Sequence, residues 1–138
     1  MDSSHVRWIE LPHVEDERGV LTAIEAAQDV PFSIRRVFFI HGTGAQRGGH
    51  AHLATTQLLV PVAGTFCVQV SDGTGWSTHR MNDPHRGLLL PPLTWVVMKD
   101  FSADSVCLVL ADTHFADDVF IREHGELAAM RARREALG

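Results

Sequence analysis

The chain contains no tyrosine, so it has no phenolic hydroxyl to serve as a proton donor. Cysteine is almost as scarce. The two present, Cys67 and Cys107, lack metal-site spacing. Each sits in an apolar, β-like run (65–70 and 105–110) and reads as a small core residue rather than half of a disulfide. No apolar run reaches the roughly 18 residues of a membrane span. Residues 1–14 show no basic region followed by an apolar stretch, so no signal peptide is expected and the cytoplasm is the default compartment. Basic charge is in deficit: 12 Lys+Arg against 17 Asp+Glu gives a net charge of −5. That argues against nucleic-acid binding through a basic face. An anionic small molecule is still compatible, because a few arginines converging on a pocket outweigh an acidic average locally. Linkers, repeats and low-complexity stretches are missing as well. At 138 residues the expectation is a single domain, 1–138, able to bury one core.

What is present is a succession of short β-branched and aromatic runs: 7–11, 20–25, 34–40, 57–62, 65–70, 76–80, 87–90, 94–98 and 106–111. Turn signals separate them, among them Glu17-Arg18-Gly19, Gly48-Gly49, Ala63-Gly64, Asp72-Gly73-Thr74-Gly75 and Pro91-Pro92. Many short strands at near-even spacing predict an all-β sandwich or barrel rather than βαβ units. Gly64 and Gly73 suit tight turns that need positive φ. Only the tail differs. Residues 126–137 are rich in Ala, Leu, Glu and Arg, which predicts a short C-terminal helix, a tail of about 125–138. Its arginines Arg131, Arg133 and Arg134 read as a solvated face.

Nine histidines are many for this length, and two of them form His50-Ala51-His52. In a strand, residues two apart share a face, with Cα atoms roughly 6–7 Å apart. Both imidazoles can therefore face the same interior. There they can ligate a metal, move protons between neighbouring atoms of a substrate, or simply form a buried, hydrogen-bonded pair.

Gly44, His50, His52, Gln57 and Gly64 stand at spacings that closely resemble the first motif of the cupin superfamily, with Gln57 in place of its glutamate. The second cupin motif brings a further histidine, and the matching stretch GLLLPPLTWVVM offers Val96 there. A zinc, iron or manganese site wants three or four His or carboxylate ligands, so this pattern weakens a metal reading. A narrower resemblance lies in Asp16-Glu17-Arg18-Gly19, Arg35-Arg36-Val37-Phe38-Phe39-Ile40, Arg47-Gly48-Gly49-His50-Ala51-His52, Asp100-Phe101-Ser102 and Phe120-Ile121-Arg122. These resemble the dTDP-4-keto-6-deoxyglucose 3,4-ketoisomerases over about residues 7–127. Such relatives commonly carry tyrosine where this chain has Phe38-Phe39.

The resemblance implies a cupin jelly-roll β-barrel, a homodimer with exchanged N-terminal strands, no cofactor, and a nucleotide-linked sugar as partner. It implies that His50 carries the proton between C3 and C4, that His52 moves protons among the oxygens, and that Arg18 stabilises the enediolate oxygen or a phosphate. Arg47 and Arg122 are then candidates for the pyrophosphate, since a guanidinium forks onto such oxygens. Trp95 and Phe38 would contact the substrate. Two other classes compete: a metal-dependent cupin enzyme, and a non-catalytic sugar-binding cupin suggested by the missing tyrosine.

Overall fold

Twelve strands and one α-helix form among residues 5–137, which the computed structural model describes; residues 1–4 and 138 of the expected domain lie outside them. In chain order the strands are β1 (Arg7–Glu10), β2 (His13–Asp16), β3 (Gly19–Thr22), β4 (Arg36–His41), β5 (Arg47–His52) and β6 (Gln57–Ala63). There follow β7 (Phe66–Ser71), β8 (Trp76–Met81), β9 (Arg86–Leu90), β10 (Trp95–Lys99), β11 (Val106–Ala111) and β12 (Phe120–Ile121), and then helix α1 (His124–Leu137). One five-stranded sheet has the order β1-β9-β6-β11-β4 and the other β12-β5-β10-β7-β8, while β2 and β3 make a separate hairpin. Every strand pair is antiparallel. This is the jelly-roll arrangement of the cupin type.

The period-2 pattern decides what each face buries. In β7, Phe66, Val68 and Val70 point inward and are buried. They meet Leu59, Leu88, Leu90, Cys107 and Val109 of the opposite sheet, together with Val96 and Met98 of β10. Fully burying one such side chain contributes roughly 1.5–3 kcal/mol, so this interlayer cluster is the main cohesive element. The outer face of the first sheet is covered by Val30 and its neighbours, which pack on Leu58, Val60, Leu89 and Leu110. The outer face of the second sheet is covered by α1 through Leu127 and Met130.

Several expectations are refined. Gly64 takes φ +66° at the β6–β7 turn, where an added Cβ would stand 2.6 Å from Ser105 Cα. Gly48-Gly49 is not a turn; both glycines lie inside β5, because that strand bulges there. Cys107 is a core residue, but Cys67 is half-buried on the outward side of β7, and both thiols are free. The helical arginines are not simply solvated: Arg131 donates to the Leu93 carbonyl at 2.7 Å and Arg134 to the Leu53 carbonyl at 3.5 Å. These bonds help seat the helix on the sheet.

Candidate active site

Strand alternation sends Ala51 into the helix-side cluster, fully buried, and turns His50 and His52 to the other face. Their rings stand 5.2 Å apart, nearly perpendicular. A bulge prepares this presentation. Val96 pairs with His50 but Val97 with Gly48, which leaves Gly49 unpaired. Gly48 and Gly49 take φ +90° and +79°. A Cβ on Gly48 would lie 2.6 Å from the Val96 carbonyl oxygen, so only glycine allows β5 and β10 to approach this closely.

Beyond the short 3₁₀ turn Phe115–Asp117, the chain returns as β12 and pairs Phe120 with His52. That return places Asp118 beside the histidine. The Asp118 side chain is fully buried, and its oxygens lie 2.8 and 3.0 Å from His52 Nδ1. Arg36 of β4 donates to Oδ2 at 2.6 Å and Thr55 donates to Oδ1 at 2.9 Å. The Thr55 hydroxyl also meets Thr113 at 2.8 Å. Burial alone would raise the Asp118 pKa, but the hydrogen bonds from His52, Arg36 and Thr55 outweigh it and the net shift is downward. An ionised carboxylate only accepts, so Nδ1 of His52 carries the hydrogen. In the neutral ring the Nε2 lone pair is therefore free.

These groups line a cavity of about 370 Å³ between the two sheets. Much of its wall is apolar: Phe38, Ile40, Leu59, Val96, Met98 and Val109 line it together with Phe120. His50 is half-buried there. Its pKa is lowered to about 4, first by loss of solvent, then by the neighbouring His52 and by the Arg122 charge, with Asp118 opposing. His50 is thus an uncharged imidazole at neutral pH, equipped to accept a proton.

Of the residues expected from the sequence, Phe38, Arg47, His50 and His52 line this cavity. Arg122 stands next to it, its guanidinium 5.1 Å from the centre of the Phe120 ring. Two are not brought in. Trp95 lies on the opposite face of β10, 8% exposed and edge-on to His124, because alternation gives the cavity to Val96 and Met98 instead. Arg18 sits at the tip of the β2–β3 hairpin, 85% exposed and paired with Asp16 at 2.6 Å. Three polar lining residues fall outside the expected site: Arg36, Asp118 and Gln57. The only sequence signal for Asp118 was its place two residues before Phe120-Ile121-Arg122. Among the described residues no three His, Cys, Asp or Glu side chains are grouped to hold a metal.

The chain matches the WxcM-like, C-terminal (FdtA) family over residues 4–132. It is 37% identical over 118 residues to a TDP-4-oxo-6-deoxy-α-D-glucose-3,4-oxoisomerase of Aneurinibacillus thermoaerophilus, covering 84% of this chain and 85% of that one. Among solved structures it resembles QdtA, a sugar 3,4-ketoisomerase of Thermoanaerobacterium thermosaccharolyticum in complex with TDP. That match has 31% identity and a TM-score of 0.88, and covers 95% of this chain and 97% of the other. A variant of QdtA in complex with TDP-4-keto-6-deoxyglucose matches at 30% identity and a TM-score of 0.89, over 95% and 96% of the two chains. With nearly its whole described length matched, the chain belongs to the WxcM-like FdtA family of sugar ketoisomerases.

Proposed function

We propose that this chain is an isomerase that converts TDP-4-keto-6-deoxyglucose to a TDP-3-keto-6-deoxyhexose in deoxysugar biosynthesis. The observation that carries the reading is the His50–His52 pair facing one cavity, with His52 tied to a buried carboxylate. The relatives' named substrate supports the choice of sugar.

The chemistry moves a carbonyl from C4 to C3. His50 takes the C3 proton, and the electrons of that C–H bond become the C3=C4 double bond. The C4 carbonyl oxygen accepts the displaced π electrons and a proton, giving the enediol. Loss of the O3 proton and return of the first proton to C4 leave the carbonyl at C3. His50, uncharged at neutral pH, is the carbon base and acid. His52, with Nδ1 held by Asp118, presents Nε2 to the oxygens. Arg47 and Arg122 meet the pyrophosphate. The donor set offers two histidines with Gln57 and Val96 nearby, which suits proton transfer better than the three or four ligands of a zinc or iron site.

We place this activity in the cytoplasm, in a homodimer of single-domain chains. Val14 (62% exposed), Val20 (49%) and Leu21 (63%) leave the hairpin apolar and open, as do Val37 (58%) and Phe39 (61%) on edge strand β4. Such edges call for cover. Arg18 does not line its own chain's cavity, so any part it takes in the reaction runs through the partner's cavity. The deciding experiment is incubation with TDP-4-keto-6-deoxyglucose, with and without EDTA, followed by NMR. Appearance of the 3-keto isomer in both samples is expected. Binding without conversion would favour a sugar-binding protein, and conversion abolished by EDTA a metal enzyme.

A further inference from the structure

Gln57 opens β6, on the sheet opposite the histidines. Residues 53–56 carry the chain from β5 in one sheet to β6 in the other, so the cavity that all three residues line has Gln57 on one wall and His50 and His52 on the other. The Gln57 backbone is held in the ladder against Leu90 and Ala111. Its side chain is not held in the same way. The residue is 6% exposed, yet its amide hydrogen-bonds to none of the described residues. The amide is reached only through the cavity, so a molecule that fills the cavity and displaces its solvent has to satisfy it or leave it unpaired. Of the other deep polar groups, Asp118 is engaged by His52 and by one terminal nitrogen of Arg36, while the buried Nε of Arg36 has no partner among the described residues. Most of the remaining wall is hydrocarbon, and the chain has no tyrosine.

We propose that Gln57 is a catalytic residue whose amide N–H donates to the sugar oxygen that gains charge as the C4 carbonyl becomes the enediol. This deepens the ketoisomerase reading and rests on it. A primary amide suits the task for two reasons. It keeps both N–H donors at every working pH, and fixed donors in a cavity shielded from water stabilise developing charge strongly. A glutamate of the same shape would do the reverse, setting a second negative charge against the developing one.

The test uses the full-length protein with Gln57→Met, which keeps volume but donates nothing, and Gln57→Glu, which keeps shape and inverts the charge. Turnover of TDP-4-keto-6-deoxyglucose is followed by NMR, TDP binding by calorimetry, and folding by thermal melting. For Gln57→Met, kcat should fall roughly 100- to 1,000-fold. TDP affinity should hold, because the nucleotide alone lacks the keto sugar, and melting should not drop, since no protein hydrogen bond is lost. Gln57→Glu should lose at least as much turnover. A structural role would instead lower melting and TDP affinity together, and that result overturns the proposal. So does turnover within about threefold of the parent in either variant. If Gln57→Met does not fold, Gln57→Glu decides alone. A parent chain that binds TDP but leaves the sugar unchanged overturns the ketoisomerase reading and the role of Gln57 with it. An active parent beside equally active variants overturns the role of Gln57 only.

Discussion

His52 Nδ1 lies 2.8 Å from Oδ1 of Asp118, whose side chain is fully buried and which stands 66 positions away in the chain. The carboxylate is held from its other side by Arg36 at 2.6 Å. It fixes which nitrogen of His52 carries the hydrogen, and hence which one faces the cavity.

Replacing Asp118 by Asn should therefore affect both chemistry and stability. Facing Nδ1 with its N–H, the amide would force the hydrogen of the neutral His52 ring onto Nε2; facing Arg36, it would set donor against donor. Turnover should fall by roughly 100- to 10,000-fold through the misplaced proton on His52. Removing one partner of a buried ion pair should also cost about 3–5 kcal/mol of stability. Kinetics and denaturant melts on the same preparation check both. Wild-type kcat in Asp118→Asn would remove the carboxylate from the mechanism.

The two histidines should separate by isotope exchange. His50→Asn should abolish both turnover and exchange of the C3 hydrogen in deuterated water, with a rate loss of roughly 100-fold or more. His52→Asn should slow net isomerisation while leaving some C3 exchange. NMR of the C3 proton reads both. The reverse pattern would swap the roles.

The pH profile should report the tuned His50. Its pKa is lowered to about 4, so the base form is present above that value and is lost as pH falls through it. A plot of kcat/KM should stay level from neutral pH through 6 and drop near 4, as long as circular dichroism shows the fold intact. An acid limb centred near 6.5 would show that burial and neighbouring charge do not set this group's titration.

Gly48→Ala should be costly. Its φ of +90° strains any side chain, and the new Cβ would meet the Val96 carbonyl oxygen at 2.6 Å. Strain of about 1–3 kcal/mol corresponds to a loss of roughly 3–10 °C in melting temperature for a domain of this size. Gly49→Ala, with φ +79° but nothing within 4 Å of the new Cβ, should cost less. Equal melting of the two variants would mean that the close approach of β5 to β10 is not what demands glycine.

The hairpin should hold the dimer. Leu21→Asp puts a charge on an apolar face that is 63% exposed in the single chain. Light scattering should show a dimer for the parent and a monomer for the variant. A monomeric parent at micromolar concentration would dismiss the interface and leave Arg18 with no cavity to reach.

Most strands were legible because alternation and turn glycines act locally, although β2 and β12 fell in no apolar run. The runs 57–62, 65–70 and 106–111 became β6, β7 and β11 to within a residue or so at each end. His50 and His52 could be paired from spacing alone, since two positions along a strand must share a face. Gly48-Gly49 misled because positive φ serves turns and bulges alike, and only the facing strand β10 distinguishes them. Trp95 misled for the related reason that one residue's shift inverts the face.

The sequence by itself determined an all-β chain, a C-terminal helix, a histidine pair on one strand face, an absence of phenolic hydroxyls, and Val96 where the second cupin motif brings a histidine. Those follow from residue type and from periods of two and 3.6, which need no distant partner. Tertiary structure alone decided the rest. It brought Asp118 back onto His52 through the pairing of β12 with β5, and turned Arg36 inward from β4 to brace the carboxylate. It also set Gln57 on the facing sheet and left Arg18 outside its own chain's cavity. Each of these depends on which strands become neighbours, a choice made by burial of the whole core that no local spacing encodes.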